Sequence, residues 1–353
     1  MRLAPLLGLV VACLGLAACG AGQAASPASP NLDTILAEKP AALLSDYGFF
    51  EDAGADHPAQ RVKPYDLINP LFSDDAAKHR FIYVPPGNMV QAEGAGLPEF
   101  PVGTALIKTF GFAPDMRSPE GGAYKVETRV IIRKADGWAA FPYVWNEDGT
   151  EAKYAPTGAR RTIETISPAG EPLEIHYEVP NKNQCKTCHQ SGDTISPIGP
   201  KLRNLDHAGP AGVDQLSDWV AAGLLDGVPL GMKRTPSALD TRLPLEARAR
   251  GYLDINCGHC HKPDGSASNS GLWLTLEETS PTRLGLKKHP TAAGRGSGNR
   301  RYVIDPGHPE QSILAFRMAS TEPGIAMPEL GRTLPDPVGI DLINAWIAGM
   351  EVE

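Results

Sequence analysis

The most constraining feature of this chain is a five-residue string that occurs twice. "NQCKTCHQ" at 183–190 and "INCGHCHK" at 255–262 each hold two cysteines separated by two residues, with a histidine directly after the second. The chain has six cysteines in 353 residues, so four of them are committed to these strings. A disulfide inside Cys-x-x-Cys does not need the histidine. A four-sulfur zinc site built from the two pairs is the main rival, and it does not need the histidine either. Covalent haem attachment needs all three residues. Each thiol adds to a vinyl group to form a thioether, and the adjacent imidazole stands under the iron. The expected cofactors are therefore two covalently bound haem c groups. Cys185, Cys188, Cys257 and Cys260 are the attachment points, with His189 and His261 as proximal ligands.

The N-terminus bears on the compartment. Arg2 precedes an apolar run from Leu6 to Ala18, which reads as a secretory signal peptide. The run is too short and too rich in small residues for a transmembrane span. Leu16-Ala17-Ala18-Cys19-Gly20 resembles the bacterial lipobox, which implies a diacylglycerol on Cys19. The competing reading is a plain signal peptide with an incidental cysteine. Gly20, in place of Asp, implies sorting to the outer membrane of a Gram-negative bacterium. The expected chain is thus exported, periplasmic and lipid-anchored. Its organisation reads as a signal peptide at 1–18, an Ala/Ser/Pro-rich tether at 19–39, a β-rich domain at 40–180, and haem-bearing stretches at 181–243 and 244–353.

Within 40–180, Asp136-Gly137 and Asp148-Gly149 separate apolar or aromatic runs in the manner of hairpin turns. "TIETISPAGEPLEIHYEVP" adds two strand-like pieces. The expected arrangement is an antiparallel sandwich or partial barrel, large enough for its own core. Trp138, Tyr143 and Trp145 read as packing residues.

From residue 181 onward the chain resembles class I cytochrome c modules. Gly199-Pro200-Lys201-Leu202 looks like that family's Gly-Pro-x-Leu turn. The resemblance implies that the Pro200 carbonyl accepts a hydrogen bond from the proximal histidine and so fixes its ring. In "LEARARGYLDIN", Leu245, Ala249, Tyr252, Leu253 and Asn256 recur at helical spacing before the second string. In the family such a helix ends at the first cysteine. Near the C-terminus Ile343, Trp346 and Ile347 mark a final helix that crosses it. Ala326-Met327-Pro328 looks like the loop carrying the distal methionine, which makes Met327 the sixth ligand of the second iron. Met318 lies in a helical pattern and reads as core. For the first iron the candidate is Met232, with His207 or no strong ligand as alternatives. The fold expectation is α+β: an antiparallel β domain followed by two small all-α cytochrome c-like modules.

The whole pattern, with PLFSD, FPxGT, a Trp-Asn segment, PIGPK and two haem strings, resembles a largely uncharacterised group of exported di-haem c-type cytochrome lipoproteins. A second resemblance concerns Phe100-Pro101-Val102-Gly103-Thr104 followed by Lys108. It is similar to a motif of small β-rich cytochromes with a haem–lysine cross-link. That resemblance implies an open first iron acting on a small nitrogen or oxygen compound. The alternative for Lys108 is an exposed lysine on a strand.

The formal charge is −8, and cleavage after Ala18 removes one further cation, Arg2, so nucleic acid is excluded as a partner. Lys287, Lys288, Arg295, Arg300 and Arg301 form one basic stretch, readable as a solvated loop or as a dock for an acidic redox partner. No Ser/His/Asp set, phosphate loop or dinucleotide fingerprint stands out. The leading expectation is single-electron transfer between periplasmic or membrane redox proteins. A haem enzyme with one open iron, peroxidase-like or cross-linked, is the alternative. A redox subunit docked to a dehydrogenase is a third.

Overall fold

The computed structural model describes residues 29–118, 122–291 and 293–351. The signal-peptide assignment at 1–18 and the lipobox Cys19 lie outside the described residues. No helix among the described residues is long and apolar enough to cross a membrane.

A short helix, α1 (Leu32–Leu36), leads into a six-stranded antiparallel meander. Its strands are β1 (Val62–Tyr65), β2 (Ala77–Tyr83), β3 (Ala105–Phe112), β4 (Tyr124–Lys134), β5 (Gly137–Trp145) and β6 (Ala152–Tyr154). A separate hairpin pairs β7 (Ala159–Ile166) with β8 (Pro172–Val179). The β4–β5 turn is tight, with Lys134 opposite Gly137, and Gly137 sits at φ 138°, a conformation other residues resist.

Two-residue alternation divides the sheet into two unlike faces. Phe81, Tyr83, Ile107, Val130, Ile132, Phe141, Tyr143 and Trp145 point to one side and join Tyr47 and Phe49 in the main apolar core. The register of the opposite face sets Arg80 beside Lys108 and Lys108 beside Arg129. That face is apolar only at its ends. Ile82 and Leu106 belong to one cluster, and Phe110 to another with Ile163, Ile175 and Tyr177.

The second half carries α2 (Lys182–His189), a two-residue-per-strand hairpin β9 (Gln190–Ser191) and β10 (Thr194–Ile195), α3 (Leu202–Leu205), α4 (Gln215–Ala221), α5 (Leu245–Asn256), α6 (Pro281–Leu284), α7 (Ile313–Ala319) and α8 (Pro337–Ala348). This corrects the expectation of two all-α haem modules. Helix accounts for 23% of the chain and strand for 24%, too little helix for the whole C-terminal half to be all-α. The physical reason is clearest at 181–243, a stretch of a length only marginal for a core of its own. Leu202, Leu205, Leu216 and Trp219 instead pack with Tyr65, Ile82 and Leu106 of the sheet. The Trp219 ring meets Tyr65 edge-on, with centroids 6.0 Å apart. Residues 244–353 do hold their own cluster, in which Ala249 and Leu253 of α5 meet Ile343, Trp346 and Ile347 of α8. Only α5 and α8 reach 12 residues, and irregular chain fills most of the remainder.

Candidate functional site

The first Cys-x-x-Cys-His string forms α2 itself. Asn181 caps the helix, accepting from the Asn183 and Gln184 amides, while the Gln184 side chain accepts from the Asn181 amide. This reciprocal cap holds an eight-residue helix that would be marginal alone. Helical spacing places Cys185, Cys188 and His189 on one face. The second string follows α5, whose C-terminal cap is Cys257. None of these four cysteines is joined to another in a disulfide. Burial pushes Cys188 up to about 11 and Cys257 up to about 12. It also holds His189 and His261 down to about 4, so both imidazoles are neutral near pH 7.

The two strings lie side by side. Gly192 donates its amide to the Asp264 carbonyl at 2.8 Å, Ser191 bonds the Asp264 carboxylate, and Lys262 reaches Ser191 Oγ at 3.1 Å. Cys188 lines cavities together with residues of the second string in both directions. Behind the strings, Asp254 of α5 accepts from Lys201 at 2.7 Å and from Arg203 at 3.0 and 3.1 Å. The Leu276 amide adds a further bond to the same carboxylate at 3.0 Å. Asp254 has no exposed side-chain surface.

Beside the second string is a cavity of about 450 Å³, within the size range of small-molecule and cofactor sites. Cys257, Cys260, His261 and Met327 line it together, with Leu272, Leu274 and Leu314 among its apolar walls. His261 Nδ1 lies 3.3 Å from Ser270 Oγ, so Nε2 is the nitrogen left for a metal. The donors and the volume fit a haem with His261 and Met327 on the iron. Met318, buried in the C-terminal core, lines the same cavity.

The first string does not match this: Cys188 and His189 line a cavity of only about 110 Å³, and Cys185 is not among its lining residues. His189 Nδ1 bonds the Ser196 carbonyl at 2.8 Å. The acceptor is therefore Ser196, seven residues on from the histidine, and not Pro200, which is buried in the following turn. No methionine lines this cavity among the described residues, and His207 lies outside it too. Met232 packs instead against the cluster of Leu202 and Trp219. Lys108 is not an exposed strand lysine. It is half-buried, 4.5 Å from the Phe110 ring centre, and lies near enough to His189 to act on it electrostatically. As for the zinc alternative, no three His, Cys, Asp or Glu side chains converge among the described residues as a metal ion would require. In the basic stretch, Lys287 pairs with Asp305 at 2.7 Å and Arg295 with Glu322 at 2.6 Å, so part of its charge is already matched.

The residues that fix the Met327 loop carry no recognisable string. Arg332 donates to the carbonyls of Met327 at 2.8 Å, Ser320 at 2.9 Å and Met318 at 3.1 Å. Asp74, from the PLFSD segment, accepts from the Thr333 and Leu334 amides, each at 2.7 Å. Asp74 and Asp75 sit at φ 51° and 57°, a strained conformation for residues other than glycine. Two residues further back, Phe72 donates to Asn256 Oδ1 at 2.8 Å, just before the second string. Asp74→Ala orphans two buried amides and is expected to cost about 2 kcal/mol in denaturant unfolding. A loss within the error of the wild-type measurement would show that the loop is held without Asp74. No family model, no curated protein and no solved structure matches this chain.

Proposed function

We propose that this chain is an exported di-haem c-type cytochrome that passes single electrons between redox partners at a periplasmic membrane surface. A haem c would be carried on Cys185 and Cys188, and another on Cys257 and Cys260, with lipid on Cys19. The observation that carries the reading is the adjacency of the two strings, bonded to each other through Ser191, Gly192, Lys262 and Asp264. Bound haem supplies a reversible one-electron centre. The chain's part is to orient the imidazoles through Ser196 and Ser270, to hold the strings together, and to keep water from the apolar walls. Attachment at the first string requires the cavity beside His189 to widen.

The test is sub-stoichiometric reduction of the haem-loaded protein, followed in a stopped-flow spectrometer. Electrons are expected to distribute between both haems within the mixing time. Redistribution that takes seconds would overturn the carrier reading. Met327→Leu is expected to abolish the methionine-to-ferric-iron charge-transfer band. It is also expected to lower the potential of the second haem by more than ~59 mV, a tenfold change in a one-electron equilibrium. An unchanged band would remove Met327 from the iron.

A second reading is favoured by the absence of a methionine among the residues lining the first cavity. On that reading the first iron is open and the protein is an enzyme acting on a small nitrogen or oxygen compound. Carbon monoxide added to the reduced, loaded protein decides between them. Binding at the first haem alone supports the enzyme, and no response at either haem supports the carrier.

A further inference from the structure

The sheet face behind the first string carries four cations. Lys78 and Arg80 lie on β2, Lys108 on β3 and Arg129 on β4, with Arg80, Lys108 and Arg129 in consecutive cross-strand register. Arg129 is matched, its guanidinium forming two bonds to Glu127 at 2.6 and 2.8 Å. Arg80 is matched on one nitrogen only, at 2.9 Å from Asp66. Its Nε and second terminal nitrogen are buried without a partner, on a side chain that is 4% exposed. Neither lysine has a carboxylate within 4 Å or a hydrogen bond among the described residues; Asp74 and Asp75 act on Lys78 only at longer range. Arg80 is buried and the other three are half-buried, so two lysines stand without a direct partner on a face with limited access to water. Burial, with repulsion by the neighbouring cations second, pushes Lys78 down to about 8 and Lys108 well below its ordinary value. Buried cations without counter-ions are unfavourable, and a bound anion relieves that condition. Arg129 and Lys108 also act electrostatically on His189, so the excess charge lies at the first string.

We infer that Lys78, Arg80, Lys108 and Arg129 form a receptor for a carboxylate or small oxyanion beside His189. Two sources share that chemistry. One is the pair of propionates of a haem on Cys185 and Cys188, which rests on the reading above. The other is a free oxyanion admitted to the same place. Arg80 offers two nitrogens in the planar fork that suits a carboxylate, and the lysines supply compact point charges.

The experiment uses the full chain after haem loading, with intact mass taken first. Two haem masses confirm the underlying reading at both strings. The double variant Lys78→Met, Lys108→Met removes the unmatched charges at similar volume, and Lys78→Arg, Lys108→Arg keeps them. If propionates are the occupants, the methionine variant shifts the reduction equilibrium of the first haem at least tenfold toward the ferric form, about 59 mV. The arginine variant stays near wild type, and inorganic phosphate leaves the unfolding midpoint of the wild type unchanged. If a free oxyanion is the occupant, phosphate raises that midpoint in the wild type and not in the methionine variant. A chain that carries haem only on the second string sinks the propionate source, and phosphate alone then judges the receptor. The inference is overturned if neither phosphate nor the methionine variant has an effect, or if both double variants shift the haem equally, which would make the lysines packing residues.

Discussion

Replacing Cys257 and Cys260 together with alanine is expected to leave the purified chain with one covalent haem in place of two, read by intact mass and by pyridine haemochrome. The loss at that string should be complete. Any haem still held there would lack thioether bonds, and so would not appear in the denatured mass. The same variant empties a cavity of about 450 Å³ whose walls belong to the C-terminal core, so the chain should also unfold at lower denaturant. The matching Cys185→Ala, Cys188→Ala variant should remove the other haem and retain the second. A wild-type mass with no haem, after expression alongside the attachment machinery, would end the cytochrome reading for the whole protein.

The second large effect concerns Asp254. Its carboxylate is fully buried and is shared by Lys201, Arg203 and the Leu276 amide. Asp254→Ala leaves Lys201 without its anion and Arg203 with Glu277 alone, and a cost of about 3 kcal/mol is expected in denaturant unfolding. Burial alone would raise the carboxyl, but Lys201, Arg203 and the hydrogen bonds outweigh it and hold it below the usual carboxylate range. A group depressed in the folded state contributes stability that is present above its unfolded pKa and is lost as pH falls through the folded value. The wild type should therefore weaken through the acid range below about pH 4, and Asp254→Asn should flatten that part of the profile. Equal acid sensitivity in the two proteins would assign the effect to other carboxylates.

How much of this was legible in the sequence differs from residue to residue. The two Cys-x-x-Cys-His strings are visible in the sequence because each is local: three side chains at fixed offsets within five residues. The helix before Cys257 could be read for a similar reason, since its periodicity is contained in twelve residues. The all-α modules were misread because a haem string says nothing about what its flanking residues pack against. Leu202, Leu216 and Trp219 look like the apolar face of a small helical unit, yet they complete the sheet's surface. Pro200 was misplaced because a proline-rich turn offers several carbonyls and only the folded backbone selects Ser196. The cation receptor was illegible for a stronger reason. Lys78 and Arg80 are separated from Lys108 and Arg129 by loops of unrelated composition, and only the strand register makes them neighbours.

The segment 69–75 ties together parts of the chain that are far apart in sequence. Asn69 bonds Asn204, Pro236 and Ala238, while Asp74 holds Thr333 and Leu334 across separations of up to 260 residues. Contacts of that span close late, because the chain must lose loop entropy before they return any energy. Both cysteine pairs lie between the ends of this loop. A folding chain therefore has an interval in which α2 and α5 can form while the long-range knots are still open and the thiols remain reachable. In the folded chain Cys185 is buried. If haem is attached at these strings, the topology favours attachment before closure.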